Sequence, residues 1–156
     1  MKYTILTISL LFSLNSISQI LAQDSKFTEI GAAKNFDITI AKMYKVNIEP
    51  AYYFVDFNNI ESESIDDMTS FGFFDVDGAF EKLYKSVIDG FKNKSDSVML
   101  IIGNGKLKIE YSKHTLGRFR FIFTDKSGIK DSSDFITKKQ FSKLFGKKFK
   151  KSDFKN

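Results

Sequence analysis

Residues 98–123 constrain this chain most, because apolar side chains recur at alternate positions there on either side of two glycine-marked turns. Alternation with a period of two is the signature of a strand with one buried face. Asn-Gly is the dipeptide favoured at the centre of a two-residue hairpin turn. Placing Asn104 and Gly105 there pairs Ile102 with Leu107, Leu100 with Ile109 and Val98 with Tyr111. Those six side chains share one face, and Lys106, Lys108 and Glu110 take the other; a slip of one residue would divide the apolar set. Gly117 suits the left-handed position of a three-residue loop, Thr115-Leu116-Gly117, which sets Tyr111 opposite Phe121 and Ile109 opposite Phe123. A three-stranded meander follows.

Ahead of it lies a helix pattern. Ala79, Phe80, Leu83, Tyr84, Val87, Ile88 and Phe91 form one stripe of a 3.6-residue period. Asp75 or Asp77 is placed to cap its start, and Gly90 or Asn93 to stop it. Glu81 and Lys85 stand at i, i+4, a favourable ion-pair spacing.

The remaining chain adds strands on one side and a helix on the other. Residues 24–35 read equally as a short helix or a strand. Phe36, Ile38 and Ile40 alternate as a strand would, with Tyr44, Val46 and Ile48 as a continuation that Pro50 ends. Residues 51–57 are apolar on both faces, with Tyr52 and Phe54 on one side and Tyr53, Val55 and Phe57 on the other, as an interior strand requires. Residues 58–70 lack periodicity and read as a loop, and Phe71, Phe73 and Phe74 as packing beneath it. Residues 125–134 read as a second loop. Thr137 and Gln140 have the spacing of a capping box ahead of a short helix with Phe141, Leu144 and Phe145 on one face and Gly146 as its stop. The expected fold is therefore α+β, a single domain in β-β-α-β-β-β-α order. Its antiparallel sheet has about five strands, with one central amphipathic helix and a short C-terminal helix on one face.

Residues 1–23 read as a cleavable export signal: Lys2 supplies the positive start, residues 5–14 the apolar core, and Ser18 or Ala22 the cleavage site. The apolar run breaks off before the roughly 20 residues needed to span a bilayer, so an integral membrane protein is not expected. There is no cysteine, which excludes disulfides, thiolate metal sites and a lipidated N-terminal cysteine. The folded domain is expected over 24–146, with a fraying basic tail over 147–156.

Charge is unevenly spread about the net +5. The 56–77 stretch holds Asp56, Glu61, Glu63, Asp66, Asp67, Asp75 and Asp77 with no Lys or Arg. The C-terminal stretch holds Lys138, Lys139, Lys143, Lys147, Lys148, Lys150, Lys151 and Lys155 against Asp153 alone. Lysines flanking an apolar helix stripe are the pattern of a surface-binding helix. The first seven of these lysines are the candidate ligand-binding residues. The partners they fit are an anionic surface, an acidic polysaccharide or a protein of the cell envelope. Arg118, Arg120, Lys106 and Lys108 add a basic outer face to the meander, but stacking aromatics are missing there, against single-stranded nucleic acid as a partner.

Other motifs fail on their chemistry. Asp75-Val76-Asp77-Gly78 would put Phe73 and Tyr84 at the EF-hand positions that need oxygen ligands, and the loop with Asp125, Ser127, Asp131 and Asp134 has no metal-ligand spacing. Gly103-Asn104-Gly105-Lys106 is followed by Leu107 where a phosphate loop needs Ser or Thr. Ser127-Gly128-Ile129-Lys130 lacks the companion motifs of a penicillin-recognising enzyme. His114 is the sole histidine, with no nucleophile elbow to serve. No cofactor, metal site or catalytic residue is expected. The function expected is an exported, non-enzymatic binding or envelope-associated module; the alternative is a small secreted hydrolase using carboxylates of the 56–77 loop.

Overall fold

Four strands precede the first helix where the sequence suggested two. The computed structural model describes residues 27–154 apart from Glu63, Ile65, Asp66, Asn104 and Leu116; the export signal lies outside the described residues. Strands β1 (Phe27–Asn35), β2 (Ile38–Val46), β3 (Tyr52–Asn58) and β4 (Met68–Phe74) form an antiparallel sheet in the order β1-β2-β3-β4. Helix α1 (Ala79–Lys92) leads to β5 (Ser97–Ile102), β6 (Gly105–Tyr111), β7 (Arg118–Asp125) and β8 (Lys130–Ser132), with β9 (Ile136–Thr137) also pairing β7. Helix α2 (Lys138–Leu144) and a 3-10 turn at Lys151–Phe154 complete the chain. The α+β class stands, but the strands divide between two sheets instead of one.

Each added strand has a physical reason for being hard to read. In β1 a bulge between Glu29 and Gly31, and another between Ala33 and Lys34, break the alternation. β4 carries Met68, Thr69, Ser70 and Gly72 around its inward Phe71 and Phe73, so its outer half looks like a loop. β8 and β9 have three and two residues. β3 is indeed interior, with Tyr53, Val55 and Phe57 buried against Met43 and Phe71.

The meander has the expected face and a different register. Leu100 faces Leu107, Val98 faces Ile109, and Ile102 closes on Gly105, so the turn lies between Ile102 and Gly105 and the pairing moves by two residues. At the second turn Tyr111 faces Phe119 and Ile109 faces Phe121, with Ser112 still donating to the Arg118 carbonyl at 3.0 Å. A two-residue shift leaves every side chain on its own face, which is why Leu107, Ile109 and Tyr111 are buried all the same.

One hydrophobic cluster joins both sheets and both helices. Phe71 of the first sheet meets Phe121 of the second at 5.2 Å. From α1, Phe80 lies on Tyr53 at 4.5 Å, and Tyr84 stacks on Phe141 of α2 at 5.0 Å. The α1 stripe is as the periodicity requires: Leu83, Tyr84, Val87 and Ile88 are buried. Gly90 does not stop the helix. It lies inside it, where the Tyr111 hydroxyl occupies the space a side chain would need and donates to the Val87 carbonyl at 2.9 Å. Asn93 is the C-cap, and Lys94 takes the left-handed conformation with φ 51°. Glu81 bonds Lys147 at 2.6 Å and not Lys85.

Candidate functional site

The end of α1, the β6–β7 loop and the start of α2 meet around a groove of about 660 Å³. Its floor is aromatic. Phe91 packs edge-on to Tyr111 at 4.9 Å and to Phe154 at 5.7 Å. Burial and the nearby Asp89 charge push the Tyr111 phenol well above its usual pKa, so it stays a neutral donor to α1. The rim is cationic, with Lys92 and Lys94 on one side, Lys113 and Arg118 on the other, and Lys138 above the floor.

Local structure aims each of these. The chain leaves α1 through the left-handed Lys94, and Ser95 donates to the Gly90 carbonyl at 3.0 Å. The loop opposite is closed by Thr115, whose amide donates to Ser112 Oγ at 2.9 Å. Lys138 opens α2, behind a capping box in which Thr137 Oγ1 accepts from the Gln140 amide at 3.2 Å and Gln140 Oε1 from the Thr137 amide at 2.8 Å. Its ammonium sits 4.8 Å from the Phe91 ring and 5.5 Å from that of Phe154, a cation–π arrangement.

The charges are unbalanced. Lys113 pairs with Asp96 at 3.3 Å, with both side chains more than two-thirds exposed, so that pair contributes little. Lys92, Lys94, Arg118 and Lys138 meet no carboxylate among the described residues. Five cations line this groove against a single carboxylate, Asp96, and such an excess over an apolar floor holds a positive potential that an anion relieves.

The seven lysines singled out in the sequence are not brought together. Lys138 alone faces this groove. Lys139 and Lys143 line a smaller recess with Lys34. Lys147 lies over Tyr84 at 4.8 Å and is paired with Glu81. Lys148, Lys150 and Lys151 are exposed. The basic outer face of the meander is neutralised in part: Glu110 bonds Lys108 at 2.7 Å through one oxygen and Arg120 at 2.7 Å through the other. The Lys108 hydrogen bond, then that of Arg120, hold the Glu110 carboxyl below its usual range.

The remaining candidates take structural positions. Asp75 Oδ1 accepts from the Phe80 amide at 3.0 Å, the capping role its place ahead of α1 suggested. Asp125 Oδ1 accepts from the amides of Ser127 and Ile129 and from Ser127 Oγ, shaping the β7–β8 turn; these bonds, Ser127 Oγ first, lower its pKa. Ser127 and Lys130 therefore belong to a hairpin. His114 is exposed on the β6–β7 loop. In the acidic stretch Asp56 accepts from Ser70 Oγ at 2.5 Å and Glu61 and Asp67 are exposed, while Glu63 and Asp66 lie outside the described residues. No cluster of three His, Cys, Asp or Glu side chains with metal-binding geometry occurs among the described residues. No helix among them is long and apolar enough to cross a membrane.

Sequence reasoning missed Lys92, Lys94, Lys113, Phe91 and Phe154 as neighbours, since four separate segments supply the groove. The one available signal was Phe154, an aromatic residue set in a lysine-rich end where solvation alone asks for none. Compared with known proteins, the chain matches no family model, no curated protein and no solved structure.

Proposed function

We propose that this chain is an exported binding module that takes an anionic ligand in the groove between α1, the β6–β7 loop and α2. One observation carries the reading: Lys92, Lys94, Arg118 and Lys138 surround the Phe91–Phe154 floor with no carboxylate partner among the described residues. An anion gains from several lysines or arginines at once, and an acidic polymer releases condensed counterions on binding them. The aromatic floor adds apolar contact area for the non-ionic part of the ligand. The pattern of residues 1–23 supports export, and with it an acidic polysaccharide or another anionic envelope component as ligand.

Titration with heparin as the probe tests the site. Binding should weaken markedly between roughly 50 and 200 mM salt. Replacing Lys92, Lys94, Arg118 and Lys138 by glutamine should abolish most of it. Replacing Lys147, Lys148, Lys150 and Lys151, which lie outside the groove, should cost far less. Equal losses in the two variants would remove the groove as the site. For export, the intact mass of protein from its native host should begin after Ser18 or Ala22; a retained Met1 would end that part of the reading.

A further inference from the structure

A second feature lies outside the groove, at the β1–β2 hairpin. Asn35 faces Ile38, so Phe36-Asp37 forms a two-residue turn. Phe36 sits at the tip with φ 53° and 93% of its surface exposed, and Ile38 beside it is 68% exposed. The left-handed region suits Gly or Asn, and a bulky residue there is strained. Almost fully exposed, the Phe36 ring has no burial to offset that strain.

The surroundings of the tip are cationic. The Lys34 carbonyl accepts from Gln140 Nε2 at 2.6 Å, which ties the hairpin to α2. Further along β1, Gly31 lets the strand come against the Lys143 carbonyl, where a Cβ would collide with it. These contacts set Lys34, Lys139 and Lys143 around one recess beside the hairpin. None of the three has a carboxylate partner among the described residues; Asp37 is the acid at the tip itself. Protruding apolar side chains backed by lysines match a bilayer interface, where a ring enters the headgroup region and lysines meet anionic lipid. A soluble polyanion would use the lysines and leave Phe36 and Ile38 in water.

We infer that the β1–β2 hairpin tip is a membrane-docking element, in which Phe36 and Ile38 insert at the interface of a bilayer containing anionic phospholipid while Lys34, Lys139 and Lys143 bind its headgroups. The element is independent of the anion groove and acts at the surface of the bilayer without spanning it.

The chain has no tryptophan, so Phe36→Trp supplies a single reporter at an exposed position. Its emission should shift to the blue and be quenched by bromolipid with vesicles of phosphatidylcholine and phosphatidylglycerol (3:1). Phosphatidylcholine alone should bind far more weakly. Each lysine near an anionic leaflet is worth about fivefold in affinity, so Lys34→Gln, Lys139→Gln and Lys143→Gln together should reduce vesicle binding about a hundredfold. Phe36→Asn relieves the strained turn and should raise the melting temperature, yet lower vesicle binding at least tenfold and leave heparin binding unchanged. If the Phe36→Trp variant keeps its emission unshifted on mixed vesicles, or if Phe36→Asn binds vesicles as the parent does, the inference is overturned. Full vesicle binding by the quadruple groove variant supports it as a separate site.

Discussion

Asn59 joins the two sheets through a few polar contacts. Its Nδ2 donates to Asp131 at 2.7 Å, and its Oδ1 accepts from the amides of Glu61 at 3.1 Å and Ser132 at 3.2 Å. It is 9% exposed, and removing its amide leaves the buried Ser132 amide without that acceptor. Asn59→Ala should cost about 1–3 kcal/mol in urea unfolding, the penalty for unsatisfied buried polar groups. Nothing in the sequence marks Asn59 over its neighbour Asn58, because the partners that join it to the second sheet, Asp131 and Ser132, are more than seventy positions away. Gly90 is hidden in the same way: inside a helix a glycine reads as a stop, and only the position of Tyr111 shows that it makes room. Gly90→Ala should cost about 1–3 kcal/mol by overpacking, and Gly90→Ala with Tyr111→Leu, which removes both the hydroxyl and the ring edge that fill that space, should cost less than the sum of the two changes. Strict additivity would mean that the two residues do not share the space. At Glu110 the expected effect depends on pH. Its pKa is lowered on folding, so its stabilisation is full above the unfolded value of about 4.3 and lost as pH falls through the folded value. The stability gap between the parent and Glu110→Gln should therefore be widest near neutrality and close in acid. A gap that persists unchanged to about pH 2 would mean that charge is not its source.

For whole elements, the legible parts were those whose evidence is local. The α1 stripe, the α2 capping box and the alternation in β6 and β7 each lie within a dozen or so residues, and all three are present. Alternation has a period of two, however, and cannot tell one register from another shifted by two. The turn dipeptide had to decide, and the observed turn closes Ile102 on Gly105 instead of centring on Asn104-Gly105. The absence of cysteine allows a direct test on the exposed face, where Met99 lies opposite Lys108. Directly facing residues lie about 4.5–5.5 Å apart at Cα, within disulfide reach, whereas diagonal ones lie about 7–8 Å apart. Met99→Cys with Lys108→Cys should oxidise readily to an intrachain disulfide, and Met99→Cys with Glu110→Cys, the pair from the other register, should not. The reverse pattern on non-reducing mass analysis would restore the Asn104-Gly105 turn. β1 and β4 escaped for a further reason. In β4 the inward Phe71 and Phe73 keep the period but stand among polar residues and a glycine, in β1 two bulges break it, and only pairing with β3 and β2 makes them strands.

At the scale of the molecule, the two sheets share a core because α1 offers contacts to both, Phe80 to Tyr53 and Phe91 to Tyr111. The C-terminal segment then closes one end of that core. Its lysines made 147–156 read as a fraying tail, yet Phe154 is 7% exposed and packs on Phe91 at 5.7 Å and on Phe149 at 5.7 Å. Burial of one ring outweighs the solvation preference of the preceding Lys148, Lys150 and Lys151, which stay exposed while the backbone turns inward. Phe154 thus belongs both to the core and to the floor of the anion groove, and the two roles can be separated. Phe154→Ala should destabilise the protein by roughly 3 kcal/mol, the low end for a buried phenylalanine since one side of the ring faces the groove. Phe154→Leu retains most of the apolar volume and should cost about half as much, but it removes the ring beneath Lys138 and should weaken heparin binding. Lys148→Gln and Lys150→Gln should leave stability within about 0.5 kcal/mol, as exposed changes do. Urea melts of these variants decide the matter. If Phe154→Ala unfolds at the same denaturant concentration as the parent, the segment is a tail after all, and the groove loses its floor.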